Sequence, residues 1–135
     1  MRLLATVLTL LLPSVPGTVN PAVTQATIGT TICHPGWTTS IRPTEAWSEA
    51  LKRRLLTHSG FKDQHLADYE LDHLIPLELG GAPADLFNLW LEPRYNGQSQ
   101  RGDTAENSMR RKVCAGTLAL QTARDLIVTW KHVRG

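Results

Sequence analysis

The stretch YELDHLIPLELGGAPADLFNLW, residues 69–90, decides how this chain is interpreted. Two ionisable side chains, Asp72 and His73, stand next to each other in an otherwise apolar run, and Asn88 comes just before Leu-Trp. Pro76 and a double glycine interrupt the run, which predicts an irregular hairpin. Either Asp72 and His73 serve a site, or they form a hydrogen-bonded pair that fixes a turn.

The two side chains suit different tasks at a hydrolytic site. The unperturbed pKa of histidine is about 6.5, so a neutral imidazole is available as a base at pH 7. A carboxylate oxygen is a preferred ligand of a hard divalent ion such as Mg²⁺. Because neighbouring side chains on a strand point to opposite faces, Asp72 and His73 can serve one site only where the strand twists or breaks.

The first 26 residues have the pattern of a secretory signal peptide. A short positive start precedes an uncharged apolar run over 3–12, and this run of about ten residues is too short to span a bilayer as a helix. Small residues suggest cleavage after Ala22 or Ala26, and an uncleaved membrane anchor is the alternative. The chain is therefore expected to be secreted or periplasmic, with no other contact with a membrane.

The remaining chain is long enough for one small domain. Residues 27–43 are rich in Thr, Gly and Pro and are expected to be an extended lead-in, and residues 44–135 are expected to form the domain. A strand, a break and a return strand are predicted over 69–79, with 87–91 as the end of the hairpin or the start of a turn. Apolar periodicity predicts helices over 44–58, 103–114 and 117–132. The tryptophans at 37, 47, 90 and 130 are expected in the core.

The chain has two cysteines, Cys33 and Cys114. In an exported protein an even number of cysteines predicts a disulfide. Such a bridge would close most of the mature chain, and the chain-entropy treatment gives about 4.5 kcal/mol for a loop of that size. Two reduced thiols in a cytosolic protein are the alternative, and the absence of CxxC pairs argues against a zinc site.

The formal net charge of +2 says little about partners, but the basic residues are grouped at 52–54 and 110–112. On a helix such a run is usually a solvated face, and it can also bind a polyanion through charge. Contacts of this kind would position a nucleic acid without reading its sequence. The predicted phosphate contacts are Arg53, Arg54, Arg110 and Arg111.

The order Asp-His, Pro76, double glycine, Asn-Leu-Trp and then a helix resembles the HNH nucleases of the ββα-metal (His-Me finger) superfamily. The chain is still more similar to a group of small exported HNH-like bacterial proteins. The similarity includes the segment CHPGWTTSIRP at 33–43, an acidic pair in the following helix, a VC-G segment and a final helix ending near a Trp. It covers about residues 32–131 and implies an α+β domain with a ββα-metal hairpin-helix core and additional packed helices.

The resemblance also implies roles for individual residues. His73 matches the general base that deprotonates a water, and Asp72 matches the carboxylate that binds a single Mg²⁺ or Mn²⁺ ion. Asn88 matches the middle Asn, which braces the hairpin loop and helps to orient the base. The third metal-ligand position has no clear match among residues 96–100, and Gln98 is the candidate carried forward.

Asp103 and Glu106 are three residues apart, so on a helix they share a face. They could join the metal site, with Asp103 as a further ligand. The alternative is that Glu106 pairs with Arg110 one turn later, while Asp103 favours the helix N-terminus electrostatically.

The expected function is that of a secreted or periplasmic endonuclease, a monomer that hydrolyses phosphodiester bonds of nucleic acid, with DNA as the expected substrate. A histidine base and one divalent ion would carry the reaction. The alternative is an inactive HNH-like binding or structural module of the cell envelope, which has lost its metal site.

Overall fold

The structure is a computed structural model that describes residues 17–94 and 98–134. Helices surround one antiparallel pair of strands, so the fold class is α+β, as predicted. Within those two ranges no helix has the length and apolar character needed to cross a membrane. In chain order the elements are α1 (Trp37–Ile41), α2 (Glu45–Thr57), β1 (Tyr69–His73), β2 (Leu89–Pro93), α3 (Gln98–Cys114) and α4 (Leu120–Arg134).

Helix α2 matches its prediction closely because local signals define both of its ends. The Thr44 hydroxyl accepts a hydrogen bond from the Trp47 backbone N–H at 3.2 Å, as an N-cap residue should. Beyond its last residue, Gly60 has a φ of 76°, a left-handed conformation that suits glycine. Leu51 and Leu56 are buried, and Leu56 packs with residues of both strands. This contact places α2 against the hairpin.

The hairpin pairs Asp72 with Trp90 and His73 with Leu89. The prediction of a return strand within 69–79 is wrong, since β2 begins only at Leu89. After the proline, the segment Leu77–Leu79 forms a 3-10 turn whose two leucines are buried in the domain. A proline cannot donate a ladder hydrogen bond, and burial of the leucines takes this segment away from the sheet.

The N-terminal part of the described chain packs on the domain. The prediction of an extended lead-in over 27–43 is wrong, because a 3-10 helix, Gln25–Thr30, and α1 occupy most of it. Val23 is buried in the core, and Thr18 and its neighbours pair with the loop after β1. The predicted cleavage positions at 22 and 26 therefore lie within a packed segment. Cleavage stays a prediction, and the apolar run at 3–12 lies outside the described residues.

Helices α3 and α4 enclose the main core with residues from the N-terminal segment. Helix α3 begins at Gln98, earlier than predicted. The first turns of this helix are polar, so no apolar periodicity indicated them in the sequence. Helix α4 is not capped by Thr117. The N–H of Leu120 instead donates to the Gln25 side chain at 2.8 Å, a cap supplied from 95 residues away. The core members are Val23, Ile32, Ile75, Leu79, Val113, Leu120, Ala123, Ile127 and Val128.

Buried Arg124 ties three parts of the chain together. Its Nε donates to the Leu79 carbonyl at 2.8 Å and its Nη2 donates to the Val23 carbonyl at 3.0 Å. Gly80 leaves room for this contact, since a Cβ there would lie 2.6 Å from Nη2. The guanidinium thus fixes the loop after β1 to α4 and to the N-terminal segment.

The predicted disulfide is present. Cys33 and Cys114 are bonded, with their Cα atoms 5.7 Å apart and a sequence separation of 81 residues. The bond joins the segment before α1 to the end of α3. The hairpin and the loop after β1 therefore lie inside a covalently closed part of the chain.

Candidate active site

An acidic cavity of about 370 Å³ lies between the start of α2, strand β1, the loop after it and helix α3. Asp72 and His73 both line it, although they are neighbours on one strand. His73 is the last residue of β1, so the chain leaves the sheet immediately after the pair. The carboxylates in the lining belong to Glu45, Glu70, Asp72, Glu78, Asp103 and Glu106.

The His73 ring is held in one tautomer. Its Nε2 lies 2.8 Å from the Pro83 carbonyl oxygen, which can only accept a hydrogen bond. Nε2 therefore carries the proton, and in the neutral ring Nδ1 carries a lone pair. Burial lowers the pKa of His73 below its ordinary value, against the raising effect of the Pro83 carbonyl. The imidazole is thus neutral at pH 7 and able to accept a proton.

Asn88 fixes the loop that contains this carbonyl group. The side chain is fully buried, its Oδ1 accepts from the Ile75 N–H at 2.9 Å, and its Nδ2 donates to the carbonyls of Ile75 and Ala82 at 3.0 Å each. Gly81 makes this approach possible, because a Cβ there would overlap the Ile75 carbonyl oxygen. The Asn88 side chain therefore braces the loop after β1.

Asp72 is bound to an internal cation. Its Oδ2 accepts from Trp90 Nε1 at 2.8 Å and from Lys131 Nζ at 2.7 Å. The same Nζ lies 2.7 Å from Glu106 Oε1 and also donates to the His73 carbonyl. The Lys131 side chain is only 2% exposed. Burial alone would lower the pKa of Lys131, but the two carboxylates reverse the effect and raise it.

Lys131 is the residue that sequence reasoning missed. It lies 59 residues from Asp72, so no short motif connects them. One signal was present: Lys131 follows Ile127 by one helical turn, which places a charge on the buried face of α4. A lysine on such a face requires a buried partner.

The structure excludes the predicted alternative for Glu106 and Asp103, while their part in a metal site stays a prediction. Glu106 pairs with Lys131 and not with Arg110, whose Nε donates instead to the Ile32 carbonyl at 2.9 Å. Asp103 is not at the helix N-terminus, because α3 starts at Gln98, and it lines the cavity. Both acidic residues therefore face the site. The side chain of Gln98, the predicted third ligand, lies outside the described residues.

Several carboxyl groups in or near the cavity have pKa values above the ordinary value. Burial, followed by the field of Asp72, raises the pKa of Glu92 to about 8. Burial also raises the pKa of Glu106 to about 7, and it raises the pKa of Asp103. Among the residues that the structure describes, Glu92 Oε1 and Glu78 Oε2 are buried without a hydrogen-bond partner, and of these two residues Glu78 lines the cavity. Concentrated hard oxygen donors, with buried atoms left unpaired, fit the ligand preferences of Mg²⁺ or Mn²⁺.

The predicted nucleic-acid contacts do not line the cavity, although the charge of Arg110 opposes the rise in the pKa of Glu78. Arg53, Arg54 and Arg111 are exposed, Arg110 is half-buried, and none of the four is part of the lining. Lys52 of the first basic cluster is buried. These arginines stay candidate contacts for a polyanion that extends beyond the cavity.

The tryptophans divide into two groups. Trp37 and Trp130 pack against the core, and Trp90 donates to Asp72. The prediction that Trp47 is a core residue is wrong, because 38% of its surface is exposed and it lines the cavity. The first turn of α2 borders the cavity, so the core does not cover Trp47 as it covers Leu51 one turn later.

A second group of potential metal ligands lies just before β1. The side-chain ligand atoms of Asp63, His65 and Asp68 lie within 4.8 Å of one another. Asp63 Oδ1 already accepts from the His65 N–H at 2.9 Å and lies 2.8 Å from His65 Nδ1. This possible metal-binding group was not predicted, and it is not part of the cavity lining.

No protein-family model matches the chain, and neither does any curated protein or solved structure.

Proposed function

We propose that the chain is a metal-dependent endonuclease of the HNH type, which hydrolyses phosphodiester bonds of nucleic acid, with DNA as the expected substrate. The observation that carries the proposal is the tautomer of His73: Nε2 is committed to the Pro83 carbonyl, and the ring lines the same acidic cavity as Asp72 and Asp103. The consecutive order β1, β2, α3 supports it, because strand, strand and helix follow in the order of the ββα-metal superfamily.

In this proposal each side chain has a defined task. His73 Nδ1 accepts the proton of the attacking water, and the Pro83 carbonyl keeps the ring in the required tautomer. Asn88 holds the loop that supplies this carbonyl. Asp72 and Asp103 would hold the divalent ion, which supplies stabilisation of the charge that develops on the phosphate and leaving oxygens.

The charge of the cavity explains why a divalent ion belongs to the proposal. Six carboxylates and a single cation, Arg42, stand in the lining as the structure describes it. A phosphodiester brought among them would be repelled unless added positive charge compensates. Lys131 neutralises part of this charge through Asp72 Oδ2, while Oδ1 accepts neither the Lys131 nor the Trp90 hydrogen bond.

The proposed location is a secreted or periplasmic one. The disulfide between Cys33 and Cys114 supports it, because such bonds persist mainly in oxidising compartments. The signal-peptide pattern at the start of the chain supports it independently.

The test is plasmid cleavage by the oxidised protein with Mg²⁺ or Mn²⁺, compared with the same protein in EDTA. His73→Ala should reduce metal-dependent nicking by about 10²- to 10⁴-fold, since it removes the base. His58→Ala is the matched control, because His58 is exposed and outside the cavity lining, and it should cleave like the wild type. Failure of the folded wild type to cleave DNA or RNA with either metal would refute the proposal.

One observation favours a second candidate, the inactive binding or structural module. The Lys131 ammonium occupies the position between Asp72 and Glu106 that a two-carboxylate metal ion would take. Thermal unfolding with and without metal separates the candidates. A metal at about 100 times its dissociation constant should add about 2.7 kcal/mol of stability to a protein that binds it in the cavity. In a module that has lost the site, metal should not stabilise the protein through Asp72 and Asp103. Any stabilisation by metal should then be the same in Asp103→Asn as in the wild type.

A further inference from the structure

Trp47 occupies an unusual place for so large an apolar side chain. It lies in the first turn of α2, and its backbone N–H is held by the Thr44 cap. It belongs to neither hydrophobic cluster, it is 38% exposed, and it lines the same cavity as His73. An aromatic ring is therefore presented to solvent at the wall of the proposed catalytic cavity.

Arg42 lies five residues before Trp47 in the sequence and lines the same cavity. It follows α1 directly, it is exposed, and it is the only basic residue among the lining residues that the structure describes. Burial raises the pKa values of Glu78 and Asp103, and the charge of Arg42 opposes this rise after the larger effects of Arg110 on Glu78 and of Lys131 on Asp103. Arg42 therefore lies within electrostatic reach of both carboxyl groups. Within the described chain no carboxylate forms an ion pair with it.

The charges around these two residues limit what can bind there. The carboxylates repel phosphate from the rest of the lining, so a phosphate group is best tolerated next to Arg42. A nucleobase is uncharged, and its face can stack on an indole without any cost from the neighbouring carboxylates. The attractive contacts on this side of the cavity are therefore one cation and one aromatic ring.

We propose that Trp47 and Arg42 form a nucleotide subsite, in which the indole stacks on an unpaired base and the guanidinium contacts the adjoining phosphate. A base within a duplex is stacked on both sides and does not offer its face, so the preferred substrate is single-stranded nucleic acid or an unpaired region. Every base has a π-face, so the subsite reads no sequence. This inference rests on the proposed function for its substrate class.

The test measures binding separately from cleavage. Fluorescence anisotropy with the His73→Ala protein in Mg²⁺ would follow three labelled probes of equal length: an oligothymidylate, an abasic oligomer and a duplex. The oligothymidylate should bind more tightly than either of the other two. Trp47→Ala should weaken binding of the oligothymidylate by about 5- to 150-fold and leave the abasic oligomer unchanged, whereas Trp47→Phe should retain most of the affinity.

Arg42→Ala should weaken binding of both single-stranded oligomers and reduce the slope of affinity against salt by about one phosphate contact. Phe87→Ala is the matched control, because Phe87 is 71% exposed and lies outside the lining, and its affinities should not change. Urea unfolding of each variant checks that it is folded.

Equal losses for the oligothymidylate and the abasic oligomer in Trp47→Ala would overturn the subsite, as would equal binding of the duplex. These outcomes are distinct from failure of the proposed function. A wild-type protein that shows base-dependent binding through Trp47 but no cleavage would retain the subsite and lose the nuclease. A protein that cleaves DNA equally well with Trp47→Ala, and binds without base dependence, would retain the nuclease and lose the subsite.

Discussion

Replacing Lys131 by Met tests the internal cation of the cavity. Methionine has a similar length and no charge, so it fills much of the same space while removing the ammonium group. In the folded protein this group lies 2.7 Å from Asp72 Oδ2 and 2.7 Å from Glu106 Oε1, with 2% of the side chain exposed. Both carboxylates would lose their shared counter-charge in a buried position.

Removing one partner of a buried ion pair costs about 3–5 kcal/mol, because it leaves uncompensated charge. The loss is a large part of the 5–15 kcal/mol by which small domains are usually stable. At about 4 °C per kcal/mol for a domain of this size, the melting temperature should fall by about 12–20 °C. Burial raises the pKa of Glu106 to about 7, so Glu106 is already largely protonated at pH 5 and the loss should be smaller there than at pH 8.

Urea unfolding of the oxidised wild type and of Lys131→Met, at pH 8 and at pH 5, measures this effect. Lys112→Met is the matched control, since Lys112 is an exposed lysine on α3 and its replacement should change stability by less than about 0.5 kcal/mol. If Lys131→Met loses no more than the control at pH 8, the bridge between Asp72 and Glu106 does not stabilise the cavity. A loss equal at both pH values would show that Glu106 is not the group left uncompensated.

Two further predictions concern the acidic groups and the disulfide. The pKa values of Glu92 and Glu106, about 8 and about 7 against an ordinary 4.5, mean that the folded state holds protons that the unfolded chain has released. The free energy of unfolding should therefore fall as the pH rises from about 5 to about 8, by at most about 1.4 kcal/mol per unit of raised pKa. Glu92→Gln should make this fall shallower. Urea titrations across this pH range measure the free energy of unfolding, and an unchanged slope against pH in the variant would contradict the prediction. Cys33→Ser combined with Cys114→Ser should lower the unfolding free energy by about 4.5 kcal/mol, measured against the oxidised wild type, and a loss below about 1 kcal/mol would show that loop closure contributes little.

Features with local causes could be predicted from the sequence. The cap at Thr44 needs only a hydroxyl three residues before a free N–H, and α2 begins where that signal stands. The first strand begins at Tyr69 as predicted, and the disulfide follows from two cysteines in a chain expected to be exported. The adjacency of Asp72 and His73 at one cavity was foreseeable because the break at Pro76 ends the strand.

Features that depend on distant contacts could not be predicted. Lys131 meets Asp72 only because α4 packs against the hairpin, and nothing in either segment specifies that docking. The return strand was placed too early because the burial of Leu77 and Leu79 is decided by the core and not by their own pattern. The exposure of Trp47 likewise depends on which part of α2 the hairpin covers.

The position of Lys131 in the last described helix has a consequence for the order of assembly. Strands β1 and β2, α3 and both cysteines all precede α4, so hairpin pairing and oxidation can be complete before α4 docks. Until then Asp72 lacks its counter-charge, and the carbonyls of Leu79 and Val23 lack the Arg124 donors. Undocking of α4 would therefore remove all of these contacts at once, together with the α4 residues of the main core, while the disulfide stays closed. In hydrogen exchange, the amides of α4 and of the loop it anchors should then open together, as one cooperative unit.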